Sequence, residues 1–238
     1  MIHPSTYPSF SRRLSSRLVA ITLLATVLLA GCKKSSVDPS KGLSAKIQSI
    51  VPQAILDDMK AKGLVVNEGS QPPQLSGIYI ASPYTLLSPY SAQDGWQKGK
   101  VINDYKFRFY DQVGDEVKLD FKQSSETATG LGSFVSGFGN KFTIFAQTKG
   151  TQSGIQNTQL SVISGELGAD GIIDFQFAFT FTEKTGDASN AVLIPVGKSR
   201  IWEDGDKLAG KTNSFRFAAP EAAEPAVRTL VGTAGSAH

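Results

Sequence analysis

Residues 173–182, Ile-Asp-Phe-Gln-Phe-Ala-Phe-Thr-Phe-Thr, place Ile173, Phe175, Phe177, Phe179 and Phe181 on one face and Asp174, Gln176, Thr180 and Thr182 on the other. A period of two over this length is that of an extended strand with one dry face and one wet face. Such half-buried strands belong to antiparallel sheets. Asp170-Gly171 supplies a turn before the strand, and the polar stretch 183–190 reads as the loop after it.

The same period recurs on both sides. Tyr105, Phe107 and Phe109 alternate with Lys106 and Arg108; Val117, Leu119 and Phe121 alternate with Lys118 and Asp120. Val113-Gly114-Asp115 between them predicts a hairpin. Phe142 with Ile144, and Leu160 with Val162, continue the pattern, and 192–196 and 199–202 read as closing strands. Gly130, Gly132, Gly137 and Gly139 fall among Leu131, Phe134 and Phe138, where they mark bends or bulges in a strongly curved strand. Region 76–208 thus predicts eight or nine short strands joined by tight turns, with no helical crossover. The expected fold is all-β, an antiparallel up-and-down barrel, which removes exposed edges. A two-sheet β-sandwich satisfies the same pattern. Residues 43–62 are the only helical region: Pro52 suits a first turn, Ile55, Leu56 and Met59 recur at helical spacing, and Gly63 with Leu64 suits the end. This short N-terminal helix is expected to pack against or plug the β body.

The amino terminus carries the most specific chemistry. Arg12, Arg13 and Arg17 precede an uncharged run at 18–30 that as a helix would be about 20 Å long. A hydrocarbon core is about 30 Å thick, so the run suits a signal peptide better than a membrane span. Leu29-Ala30-Gly31-Cys32 looks like the lipobox of bacterial lipoproteins. That resemblance implies cleavage between Gly31 and Cys32 and a Cys32 carrying diacylglycerol and palmitate. The chain then divides into a signal peptide at 1–31, a flexible tether at 32–42, a helix-plus-barrel domain at 43–212 and a disordered tail at 213–238. The three signal-peptide arginines belong to the 24 basic residues, so the mature chain balances its 21 acidic ones. The basic pI therefore gives no reason to expect nucleic acid as a partner. Cys32 is the only cysteine, which rules out an intrachain disulfide.

The residue inventory narrows the chemistry further. The two histidines are His3, in the signal, and His238, the last residue. Triad catalysis, Cys-His catalysis and the usual zinc ligand sets lack material, and no catalytic residue, metal site or cofactor is assigned. Asp104, Asp111, Asp120, Glu126, Glu166 and Asp174 lie on or beside strands, where the alternation puts most on the wet face. Asp174 with Glu166 is the pair to examine for a two-carboxylate hydrolase. Glu203-Asp204-Gly205-Asp206 reads as a polar turn in preference to a calcium loop. Phe175, Phe177, Phe179 and Trp202 are the candidate ligand-binding residues, since an eight-stranded barrel interior is either filled or holds one small ligand.

Residues 52–83, PQAILDDMKAKGLVVNEGSQPPQLSGIYIASP, put a helix ending in Gly63 before Glu68-Gly69, Pro72-Pro73 and Gly77-Ile78-Tyr79. In that order they resemble the opening of Bacteroidota-type lipoproteins with lipocalin-like or calycin-like barrels, and residues 200–206, Arg-Ile-Trp-Glu-Asp-Gly-Asp, are similar to how that body ends. The resemblance covers about 43–210 and implies a fold, a membrane tether through lipidated Cys32 and an outer-membrane location, without an activity. Acidic residues soon after the lipidated cysteine accompany surface display in that group. Here Lys33, Lys34, Ser35 and Ser36 follow and the first acid is Asp38, which favours the periplasmic face. The expected function is non-enzymatic binding of a small apolar or amphipathic ligand. An assembly module engaging envelope protein or polysaccharide, and a hydrolase, are the alternatives.

Overall fold

The computed structural model describes residue 38 and residues 41–217. The expected signal peptide, Cys32, most of the expected tether and residues 218–238 lie outside the described residues.

Two short helices, α1 (Ala45–Ile50) and α2 (Gln53–Ala61), take the place of the single expected helix. Pro52 stands immediately before α2 as its N-cap, where its missing N–H costs the helix nothing. At the other end Gly63 adopts φ +101°, and Leu64 N–H and Gly63 N–H donate to Met59 O and Lys60 O at 3.0 Å each. This pair of bonds satisfies carbonyls that the last turn would otherwise leave open.

Twelve strands follow: β1 (Ser70–Gln71), β2 (Gly77–Ala81), β3 (Tyr84–Ser88), β4 (Val101–Ile102), β5 (Tyr105–Val113), β6 (Glu116–Gln123), β7 (Glu126–Phe138), β8 (Lys141–Gln152), β9 (Ile155–Leu167), β10 (Gly171–Thr185), β11 (Ser199–Asp204) and β12 (Leu208–Thr212). β5 to β10 form successive antiparallel hairpins. The first half of β10 pairs with β12, β12 with β2, and β2 with β5. Eight strands therefore close a ring of hydrogen bonds, and the all-β antiparallel expectation holds. The second half of β10 instead pairs with β11, which continues to β3 and β4.

Two features of the ring differ from the sequence reading. Ile173 was expected beside the Phe stripe, but it is exposed, and Ile172 is buried in its place. Asp174 adopts φ +49° at a bulge that shifts the register between Ile173 and Gln176, so the inward set runs Ile172, Phe175, Phe177, Phe179, Phe181. Residues 192–196 are loop instead of strand. The buried Asp187 carboxylate accepts the N–H groups of Ala191, Val192 and Leu193, at 2.9, 3.2 and 2.9 Å, and so removes donors that a ladder would need.

Two apolar clusters follow from this arrangement. The barrel interior holds Tyr79, Phe107, Phe109, Leu119, Phe121, Phe142, Ile144, Ile163 and the Phe stripe, with Leu75 fully buried among them. Outside the ring, Ile47, Val51, Leu56 and Met59 from the helical segment pack on Phe145, Leu160, Val162, Ala178 and Ile201. Strands under the helices are dry on both faces. On the outer side of β5 and β6, Lys106 Nζ donates to Ser214 O at 2.9 Å and to Arg216 O at 2.6 Å, and Arg108 and Lys122 lie over the Phe215 ring. Residues 213–217, assigned to the tail from sequence, thus lie against the barrel.

Ring closure rests on a close approach. Gly171 is paired with Gly210, and a Cβ at Gly171 would overlap Ala209 O and stand 3.0 Å from Ala209 C and 3.1 Å from Gly210 Cα. All three are backbone atoms and cannot swing aside. Gly171→Ala is expected to destabilise the fold by roughly 3 kcal/mol, at the upper end of usual overpacking costs. Urea denaturation measures the loss, and hydrogen exchange should show it concentrated in β12. A change below about 0.5 kcal/mol would mean that the closing strands shift freely.

Candidate functional site

One end of the barrel is filled, with Leu75, Tyr79, Phe109 and Phe142 buried in the interior cluster. The other end, where the β6–β7 and β8–β9 turns lie, holds a cavity of about 470 Å³. Its wall carries Phe177, Phe179 and Phe181 from β10, Trp202 from β11, Tyr84 from β3 and Tyr105 from β5. The loop between β3 and β4 adds Tyr90 and Trp96, and the loop between β10 and β11 adds residues 190–195. Three of the four candidate ligand-binding residues therefore meet at one cavity. Phe175 does not reach it; it packs deeper in the barrel, 4.8 Å from Phe107 between ring centres.

The aromatic side chains are organised. Tyr84 stacks on Trp202 with centroids 4.9 Å apart and planes 11° apart, and Trp96 meets Trp202 edge-on at 5.8 Å. Tyr105 lies 4.6 Å from Tyr84. Arg200 Nε and Nη2 donate to the buried Asp94 carboxylate at 2.8 and 2.5 Å, and the guanidinium lies 4.4 Å from the Trp96 ring centre. Burial alone would raise the Asp94 pKa. The Arg200 hydrogen bonds and the N–H groups of Tyr90 and Trp96 outweigh it and hold the carboxylate below its ordinary range. This pair ties the β3–β4 loop to β11. The opposite loop is tied by Asp187, which Lys184 and the N–H groups of Leu193 and Val192 hold down at about 2.

The barrel interior turns polar toward this end. Glu126 at the start of β7 is buried and accepts a short hydrogen bond from the Tyr105 hydroxyl. Burial pushes its carboxyl up to about 7, against the opposing effect of Tyr105 and of Gln159. Burial and the neighbouring Glu126 carry Tyr105 well above the ordinary tyrosine value. Burial, with Tyr105 and Glu126, does the same to Tyr84. Around them the Tyr84 hydroxyl, Gln152 Oε1 and both amide atoms of Gln159 make no well-formed hydrogen bond within the described residues. Buried polar atoms are normally paired, so a cluster of unpaired ones calls for a partner outside the chain.

The sequence reading placed Glu126 among strand carboxylates that mostly face water; it points inward instead. Asp120 pairs with Arg108 but is itself buried, contrary to the expected wet face, whereas Asp111 pairs with Lys118 in the open. Asp174 and Glu166 do come together with Glu203 and Lys207, around a second cavity of about 190 Å³. Asp174 is exposed there and Glu166 half-buried, whereas a general acid needs shielding from water. In the 203–206 turn, Asp204 is fully buried and accepts the N–H of Ser82 at 2.9 Å and of Asp206 at 3.2 Å, while Glu203 pairs with Lys207. Those acids shape the turn. No family model, curated protein or solved structure matches the chain.

Proposed function

We propose that this chain is a membrane-tethered envelope lipoprotein, anchored through Cys32 to the outer membrane, that binds a small amphipathic molecule in the mouth of its barrel. The observation that carries the binding reading is the cavity beside Phe177, Phe179, Phe181 and Trp202, whose lining also includes Tyr84 and Gln152, each with an unpaired polar atom. Its volume of about 470 Å³ falls among small-molecule sites, which run from about 300 to 1,000 Å³. An aromatic wall with a few convergent polar atoms suits a ligand with an apolar body and one polar head. The tether rests on the Leu29-Ala30-Gly31-Cys32 sequence.

The chain has two tryptophans, Trp96 and Trp202, and both line the cavity. Intrinsic fluorescence therefore reports on the site itself. Titrating the full chain in lipid nanodiscs with a panel of short alkyl and aromatic amphiphiles should give a saturable change in tryptophan emission for at least one head-group class. Emission that responds to no member, or only linearly with concentration, would overturn the binding reading.

A further inference from the structure

Resting on that cavity-binding reading, we propose that the cavity selects a ligand bearing a protonated amine, its head against Tyr105, with Glu126 hydrogen-bonded directly behind that residue, and beside the aromatic rings of Tyr84, Trp96 and Trp202. Four observations converge on this head group. The first is the uncompensated acid. Glu126 is buried one hydrogen bond behind the cavity wall, on which Tyr105 stands; its neighbours are the neutral side chains of Tyr105 and Gln159, and no Lys or Arg among the described residues forms an ion pair with it. A buried carboxylate in a neutral nest is costly unless a cation joins it.

The second is the character of the unpaired atoms. Of the unpaired atoms, those belonging to cavity-lining residues are Tyr84 Oη, which can accept as well as donate, and Gln152 Oε1, which accepts. An ammonium group brings three donors and no acceptor, so it complements these oxygens; a carboxylate head could accept from the Tyr84 hydroxyl but would face Gln152 Oε1 and the Glu126 acid behind Tyr105. The third is the wall. Tyr84, Tyr105, Trp96 and Trp202 are linked by successive ring contacts of 4.6–5.8 Å, and such aromatic walls attract cations, as the Arg200 guanidinium 4.4 Å from the Trp96 ring centre already does. The fourth removes the alternative. Among the described residues Arg200 is the only Lys or Arg lining the cavity, and Asp94 engages it through two hydrogen bonds, so it offers no free charge to an anion.

Entry of the cation couples to a proton. The titratable groups facing Glu126 are Tyr105 from β5 and Tyr84 from β3, both neutral near pH 7, while Gln159 from β9 and Gln152 from β8 carry no charge. With the empty-site carboxyl near 7, the ammonium displaces one proton from it on binding. Amine affinity should then rise roughly tenfold from about pH 6 to about pH 8, as the carboxylate fraction does.

Octylamine, octanol and octanoate share one tail and separate the head from the body of the ligand. Tryptophan titrations of the full chain at about pH 7.5 should give octylamine at least tenfold tighter binding than octanoate, a fold-change beyond the scatter of such titrations. In Glu126→Gln that preference and the pH dependence should both disappear. Octylamine binding no tighter than octanoate, or a preference and pH profile that survive Glu126→Gln, overturns the amine assignment. Equal binding of all three heads removes this assignment and leaves the cavity reading standing; no saturable response to any of them removes both. The wild-type pH profile tests the proposal independently of how the variant folds.

Discussion

Phe107→Ala is expected to lower the free energy of unfolding by about 3–5 kcal/mol, the range for a large aromatic deleted from a closed core. Phe107 is fully buried at the centre of the barrel. Its ring lies 4.8 Å from Phe175, 5.4 Å from Phe177, 5.8 Å from Phe121, 6.1 Å from Tyr105 and 6.5 Å from Tyr84, centroid to centroid. It therefore joins β5, β6, β10 and β3 across the interior, and it separates the filled end from the cavity. The neighbours sit on strands locked by ring hydrogen bonds, so the space cannot collapse and the void term adds to the lost transfer energy. Phe138 is 46% exposed, and Phe138→Ala should stay within about 0.5 kcal/mol. Denaturant unfolding followed by tryptophan emission measures both. Similar small losses for the two variants would mean that the interior aromatics do not form a continuous core.

Legibility in the sequence followed the rule that alternation marks the dry face of a strand, which need not be the inside of the barrel. Phe175 to Phe181, and Phe107 with Phe109, were readable because their outward partners are wet or polar. Leu160 and Val162 carried the same signal yet point outward, into the cluster under the helices, while Gln159, Ser161 and Ile163 of β9 face inward or lie buried. Once α1 and α2 dry the outer face, periodicity cannot tell the two sides apart. Bulges erased the rest. Asp tolerates a left-handed backbone, so Asp174 could interrupt the ladder while the written pattern continued unbroken. Glu126 was hidden in the same way. Val135 and Ala128 both belong to the interior cluster, although an uninterrupted strand would put an odd and an even position on opposite faces. The register shift at Gly130/Gly132 reconciles them and carries Glu126 inward with Ala128. The glycines announced a bend, but its phase could not be read from composition. The two loops that wall the cavity are held by Asp94 with Arg200 and by Asp187 with Lys184; the first pair is 106 residues apart in sequence and leaves no local signature.

Glu126→Gln is expected to make the protein more stable at alkaline pH, by up to about 3 kcal/mol, even as it removes the group proposed to receive the ligand. The folded chain holds this carboxyl near 7, above its ordinary 4.5, chiefly by burial. A raised acid pKa means that the fold prefers the protonated form. The stability contributed by Glu126 is therefore complete below about pH 4.5, falls as pH rises toward about 7, and stays low above it. The gap between those two values corresponds to a loss on the order of 3 kcal/mol. Gln keeps the shape and an oxygen for the Tyr105 hydroxyl but has no proton to lose, so the share of the decline due to Glu126 should vanish from the variant. Asp187 works in the opposite sense: held down at about 2, it contributes above its ordinary range and loses that contribution as pH falls through about 2. The buried Asp204, pushed up to about 6 chiefly by burial, adds its own decline as pH rises toward about 6, in wild type and variant alike. Urea denaturation at about pH 4.5, 6 and 8 separates the outcomes. Wild type should weaken more than Glu126→Gln across the series, and the two curves should converge at the acidic end. Parallel curves would show that Glu126 is well solvated in the free protein. A carboxylate whose removal stabilises the fold is not there for the fold, and a ligand that neutralises it would recover stability lost above pH 7 in proportion to its occupancy.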